Sequence, residues 1–116
     1  MICLIEIYNF VLHMIYLIFH MFILNYLGRC SFYKDGNYRK LIKHVYVASG
    51  QARTTNLFSH NDAVSSVEVI PGCTLKGYRN YDLVDLMFTA EYNIGWLGPH
   101  NDQMSSARCS CGKYAN

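Results

Sequence analysis

Two short polar stretches hold most of the chemistry this chain can offer. The first is His60-Asn61-Asp62-Ala63-Val64-Ser65-Ser66. Forty positions on comes His100-Asn101-Asp102-Gln103-Met104-Ser105-Ser106, identical at five of seven places. Each phrase supplies a carboxylate, an amide, two hydroxyls and backbone carbonyls. Such oxygen-rich sets suit Ca²⁺, which takes six to eight oxygens in flexible geometry, backbone carbonyls and water among them. One phrase has a single carboxylate and makes a thin site. Two phrases related by a pseudo-twofold can exchange ligands and build two sites. The competing reading is that Asn-Asp and Ser-Ser are turn formers whose side chains cap local backbone groups. Duplication at equivalent points of a repeat favours the ligand reading. His60 and His100 also raise a transition-metal site or a Ser-His-Asp triad. Residues adjacent in sequence do not make a triad, whose parts converge through the fold. The chain has no nucleophile elbow and no Cys/His metal spacing. The expectation is a protein that is not an enzyme.

The segments that must position these phrases read as strands. From residue 30 onward, short β-branched and aromatic runs are separated by turn residues, and no amphipathic helix stands out. Cys30 to Tyr33 reads as a strand, Lys34-Asp35-Gly36-Asn37 as a turn and Tyr38 to Val47 as a strand. Leu57-Phe58 follows as a short third strand, and Val67-Glu68-Val69 as a fourth directly after the first phrase. Pro71-Gly72 is a stop. The cycle restarts with Cys73-Thr74-Leu75 as a strand and Lys76 to Asn80 as a turn. Tyr81 to Ala90 is a strand with a bulge expected near Asp85. Ile94-Gly95-Trp96 precedes the second phrase, and Ala107-Arg108-Cys109 closes the unit. Cys30 and Cys73 sit at matching places in this reading, and the second half is about three loop residues shorter. A period near forty signals repeated supersecondary units. Two four-stranded units, neither able to bury its own face, should pack as an all-β, two-sheet β-sandwich of two Greek-key motifs. The domain takes residues 29–111, with motif one at 30–70, motif two at 73–111 and a tail at 112–116.

Residues 1–28 differ in kind. The segment is apolar and aromatic, holds Glu6, His13 and His20, and has no Lys or Arg. Ile7 to Leu27 is long enough to cross a bilayer as a hydrophobic helix. A secretory signal ordinarily has a basic start and a small-residue cleavage site, both missing here. The candidates are a signal-anchor, an unusual signal peptide or misassigned coding sequence. Secretion or an extracellular-facing membrane anchor is expected, with membrane contact through residues 1–28. A cytoplasmic location follows if the segment does not target. The net charge of +2 and the small Arg39-Lys40-Lys43 cluster speak against a nucleic-acid partner.

The two halves resemble the paired Greek-key motifs of the βγ-crystallin superfamily, especially its calcium-binding, non-lens members. The family phrase N/D-N/D-x-x-S/T-S matches Asn61 to Ser66 and Asn101 to Ser106. A second hallmark is an aromatic, four residues, an aromatic, one residue and a glycine. Tyr33 and Tyr38 match the aromatics, with Lys40 in place of the glycine. In the second half Lys76 falls at the first aromatic, Tyr81 at the second and Leu83 at the glycine. Trp96 also suits the family, and the likeness covers about residues 30–111.

The resemblance implies up to two calcium ions in crossed sites. One would use the Ala63 carbonyl, the Ser65 hydroxyl, the Lys34 carbonyl and the Asp102 carboxylate. The other would use the Gln103 carbonyl, the Ser105 hydroxyl, the Gly77 carbonyl and the Asp62 carboxylate. Asn61 and Asn101 would brace the loops. One carboxylate per site implies modest affinity.

Four cysteines fall in the domain and allow three complete pairings. Strand adjacency in this fold favours Cys73 with Cys109, leaving Cys30 with Cys111. Cys109-Ser110-Cys111 places both side chains on one strand face, which also permits an exchange, and buried free thiols remain the alternative. The function expected is a calcium-stabilised structural or interaction module. The alternative is a secreted recognition or effector protein of the same fold, such as a carbohydrate binder, inhibitor or toxin, in which Tyr78, Tyr92 and Trp96 form a surface for a glycan or protein partner. A core role for Trp96 is the plainer reading.

Overall fold

Val, Phe, Tyr and Thr fill the chain after residue 28 in short alternating runs, and those runs pair into two antiparallel sheets. The computed structural model describes residues 2–25 and 28–112, with side chains described for 3–19 and 28–112. An N-terminal helix α1 (Ile2–Asn25) precedes seven strands: β1 (Gly28–Asp35), β2 (Arg39–Val47), β3 (Gln51–Asn56), β4 (Ser66–Val69), β5 (Cys73–Asn80), β6 (Val84–Ala90) and β7 (Ser106–Cys111). One sheet has the order β2-β1-β4 and the other β3-β7-β5-β6. Motif one therefore lends β3 to the sheet of motif two. Motif two returns the gesture with one residue, since Ile94 bridges to Val67. This exchange is the Greek-key crossover that ties the halves into one sandwich.

The core lies between the sheets. Phe32, Leu75, Met104, Val47, Val64 and Val67 are fully buried, each contributing about 1.5–3 kcal/mol relative to exposure. Val64 and Met104 come from the two polar phrases. Each phrase thus drives one apolar side chain into the core and leaves its oxygens outside.

Several expected elements shift. Lys76 to Asn80 is strand rather than turn, and the turn moves to residues 81–83. Gly77 is there for close approach. A Cβ on it would stand 2.4 Å from the Phe88 ring and 2.8 Å from Met104 Sδ. Leu57-Phe58 is not a strand; the third strand is the polar Gln51–Asn56, and Phe58–His60 forms a 3₁₀ turn. Both hairpins carry a bulge: β2 places the extra residue Ile42 opposite the Phe32–Tyr33 step of β1, and β6 places Met87 opposite the Gly77–Tyr78 step of β5. The bulge expected near Asp85 therefore falls on the same strand, at Met87, and Asp85 itself takes φ 68°.

The cysteines form two disulfides, Cys30–Cys109 and Cys73–Cys111, which corrects the expected pairing. Strand adjacency was the right consideration, but register decides. β5 and β7 set Cys73 opposite Cys111 and Leu75 opposite Cys109. Cys109 then reaches across the core to Cys30 in the other sheet.

Every described side chain of α1, at residues 3–19, is exposed. Among the described residues no helix is long and apolar enough to cross a membrane. His20 and Leu27 lie outside the described side chains.

Candidate metal centre

Each phrase begins in a 3₁₀ turn, Phe58–His60 or Gly98–His100. Asn61 and Asn101 close these turns, their backbone N–H groups donating to Phe58 O and Gly98 O at 2.9 and 3.0 Å. Asp62 and Asp102 follow at φ 58° and 56°, a left-handed conformation that Asp tolerates through its short polar side chain. There the loops interlock. Asp62 N–H donates to Met104 O at 3.1 Å, and Asp102 N–H to Val64 O at 3.0 Å. Each aspartate is therefore held by the other phrase's backbone.

The side chains repeat the crossing. Ser65 Oγ donates to Asp102 Oδ1 at 3.3 Å, and Ser105 Oγ to Asp62 Oδ1 at 3.4 Å. Both serines are 5% exposed, while both aspartates face solvent. Ser65 N–H donates to Tyr33 O and Ser105 N–H to Tyr78 O, each at 2.9 Å. These bonds fix the loops to the ends of β1 and β5.

The last serine of each phrase holds the neighbouring hairpin. Ser66 Oγ donates to Asp35 O at 2.6 Å and accepts from Tyr38 N–H at 3.1 Å. Ser106 Oγ donates to Asn80 O at 2.5 Å and accepts from Leu83 N–H at 3.0 Å.

These bonds set the true register of the repeat: Tyr33 matches Tyr78, Lys34 matches Arg79, Tyr38 matches Leu83 and Lys40 matches Asp85. The Cys30–Cys73 alignment was out by two residues. The first aromatic of the second hairpin is Tyr78 rather than Lys76, and the second is replaced by Leu83. Lys40 and Asp85 stand at the glycine place with φ 59° and 68°.

Two open recesses result. One is lined by Lys34, Asp35, Gly36, Ala63, Ser65, Trp96, Asn101, Asp102 and the rim residue Asp62. It holds together all four residues expected for the first site. The other is lined by Asn61, Asp62, Arg79, Asn80, Tyr81, Val84, Gln103 and Ser105. It gathers Asp62, Gln103 and Ser105, but Gly77 is absent and Arg79 stands where Lys34 stands in the first. Gly77 matches Phe32, whose side chain fills the core; at Gly77 the Phe88 ring takes that space.

Asn101 adds a residue the sequence did not single out as a donor. Its Oδ1 is buried without a hydrogen-bond partner, and the residue is among those lining the first recess. A buried carbonyl oxygen without a partner costs about 1–3 kcal/mol, and a cation or water in the recess would satisfy it. The donor sets are chemically suited to a hard cation: a carboxylate, a hydroxyl and carbonyls in each recess, with an amide oxygen in the first. Lys34 and Arg79 bring cationic side chains to the rims. Arg79 is engaged by Asp85 at 3.3 Å. His60 and His100 end the two 3₁₀ turns, and the His100 ring lies 5.9 Å from that of Phe88.

Trp96 is 59% exposed and Tyr92 75% exposed, whereas Tyr78 is half-buried. Trp96 lies over Gly36, where an added Cβ would be 3.3 Å from its ring. It is a recess wall and not a core residue.

Such a fold and site define a class: a two-motif Greek-key sandwich with reciprocal polar loops. Solved structures place that class. A double mutant of a βγ-crystallin domain from Clostridium beijerinckii is 27% identical, with TM-score 0.57 over 70% of this chain and 94% of that one. A clostrillin double mutant in complex with nickel is 26% identical, with TM-score 0.56 over 70% and 95%. A βγ-crystallin domain from Flavobacterium johnsoniae shares the fold at 22% identity and TM-score 0.57, over 71% and 93%. No family model and no curated protein matches the chain. The chain belongs to the βγ-crystallin superfamily.

Proposed function

We propose that this protein is a calcium-binding, non-enzymatic structural or interaction module whose fold is stabilised by up to two Ca²⁺ ions in crossed sites. The observation that carries this reading is the reciprocal pair of contacts, Ser65 to Asp102 and Ser105 to Asp62. A turn needs only its own side chains to cap it. Here each carboxylate is delivered to the other phrase's serine, as a shared ligand set requires. One ion would take the Ala63 and Lys34 carbonyls, Ser65 Oγ, Asp102 and the Asn101 amide oxygen. The other would take the Gln103 and Arg79 carbonyls, Ser105 Oγ and Asp62, with water completing each shell. A cation bound only by the folded state raises stability by mass action. Thermal melts of the purified chain with and without millimolar calcium test the reading, which fails if the midpoint does not move.

A second reading, a secreted recognition protein that binds a glycan or protein, draws on the exposure of Tyr92 and of Trp96, the latter lining the first recess. A glycan array with and without calcium separates it from the first, since binding lost on Trp96→Ala would favour it. The two disulfides suit an oxidising compartment, and we place the protein outside the cytoplasm by way of residues 1–28. Fractionation of the full-length chain tests that placement. Recovery of the uncleaved chain from the cytosol would overturn it.

A further inference from the structure

The same strands that end in oxygen-lined recesses begin or end, at the opposite pole, in sulfur. Cys30 and Cys73 lie near the starts of β1 and β5, and Cys109 and Cys111 at the end of β7. Three of their sulfurs form one cluster, and the fourth, that of Cys30, is bonded to a member of it. Cys109 Sγ and Cys111 Sγ belong to different disulfides yet stand 4.0 Å apart. The sulfurs of Cys73, Cys109 and Cys111 all lie within 4.8 Å of one another, and Cys30 is bonded to Cys109. All four residues are at most 3% exposed.

Duplication does not explain this gathering. In the register set by the serine bonds, Cys30 occupies the place of Leu75, Cys109 that of Val69 and Cys73 that of Gly28. These cysteines have no cysteine counterpart in the other half; Cys73, Cys109 and Cys111 meet through the pairing of β5 with β7, and Cys30 joins them across the packed sheets. Gly28 leaves the space this needs, since a Cβ there would stand 2.4 Å from Cys111 Sγ.

We propose that, once both disulfides are reduced, Cys30, Cys73, Cys109 and Cys111 bind one soft divalent ion of the zinc class as four thiolates. A tetrahedral site with metal–sulfur bonds of about 2.3 Å has sulfur–sulfur edges of about 3.8 Å, close to the 4.0 Å between Cys109 Sγ and Cys111 Sγ. Reduction supplies two electrons and two protons to each S–S bond, giving two thiols. A phosphine reductant provides the electrons and ends as its oxide, with oxygen from water. Metal binding then releases four thiol protons to solvent as the four metal–sulfur bonds form. The site is independent of the calcium reading: it lies at the other pole and uses donors that Ca²⁺ does not favour. The fold would hold a hard-cation pole and a soft-cation pole, the second governed by redox state.

The test uses the full chain carrying Cys3→Ser, which removes the exposed thiol of Cys3. The protein is reduced with a phosphine under argon and titrated with Cd²⁺ as the probe. Thiolate-to-cadmium absorption in the near ultraviolet reads ligation, and far-ultraviolet circular dichroism reads the sheet. One equivalent should saturate the reduced protein, and the oxidised protein should give no signal. Cys30→Ser and Cys73→Ser should each lose about a quarter of the absorption and at least tenfold in affinity, as fits a four-thiolate site losing one ligand. If reduction unfolds the chain, one equivalent of Cd²⁺ should restore the sheet spectrum. The proposal is overturned by a folded, reduced chain that takes up no cadmium. It is equally overturned by saturation only at several equivalents, by serine variants that titrate like the parent, or by a reduced chain that cadmium does not refold.

Discussion

Asp102→Asn is the substitution that separates a crossed site from two self-contained loops. Asp102 lies in the second phrase, but its Oδ1 receives the hydroxyl of Ser65 in the first at 3.3 Å. The change keeps the shape and the φ 56° backbone and removes the negative charge. It should abolish the ion held by Ala63 and Ser65 and spare the one held by Asp62, Gln103 and Ser105. At a calcium concentration of a hundred times Kd, one ion stabilises the fold by about 2.7 kcal/mol. For a domain of this size that corresponds to about 10–20 °C in Tm. The calcium-induced shift of Asp102→Asn should therefore be about half that of the parent, each measured against its own calcium-free melt so that the lost hydrogen bond cancels. The decisive step is the double variant. Added to Asp102→Asn, Ser65→Ala strikes the same ion and should remove little further calcium shift, whereas Ser105→Ala should remove the remainder. Coupled pairs give non-additive effects and independent pairs add. If Asp102→Asn proves non-additive with Ser105→Ala and additive with Ser65→Ala, each phrase holds its own ion and the crossed account is wrong.

Three further outcomes follow from the fold. Ser66→Ala or Ser106→Ala removes a fully buried hydroxyl that both donates and accepts, and should cost about 1–3 kcal/mol in urea unfolding with or without calcium; a neutral result would remove these serines from the account of the hairpins. Gly77→Ala places a methyl 2.4 Å from the Phe88 ring and should destabilise by about 1–3 kcal/mol through overpacking, checked by the same unfolding. Lys40→Gly relieves a side chain at φ 59° and loses only an exposed pair with Asp35. It should be neutral to about 1 kcal/mol stabilising once the greater freedom of glycine in the unfolded chain is counted, and a loss of more than that would show that the left-handed turn carries no strain.

The polar phrases were legible because both copies have the same length and the fold uses them in the same way. Their apolar members, Val64 and Met104, enter the core at matching points, and Ser65 and Ser105 meet the opposite aspartates. The hairpins were harder to place. Cys30 and Cys73 looked like the anchors of the repeat, yet Cys30 answers to packing across the sheets and Cys73 to its register against Cys111, not to repeat symmetry. Tyr33 and Tyr78 were the true anchors, visible only once their carbonyls are seen to receive Ser65 and Ser105. Gly77 read as a turn because a close approach of Phe88 leaves no mark in the local sequence. The third strand was missed because Gln51–Asn56 is an edge strand with exposed and half-buried positions, so apolar alternation does not mark it. The burial of Asn101 Oδ1 without a partner is set by the tertiary fold and leaves no mark in the local sequence.

Calcium titration of the purified full-length chain by calorimetry tests the central claim most directly. The account predicts heat that saturates at two ions per chain, the number of crossed recesses, with a matching rise in Tm. A flat titration at millimolar calcium, with an unchanged melt, would contradict it and return both phrases to the role of turns.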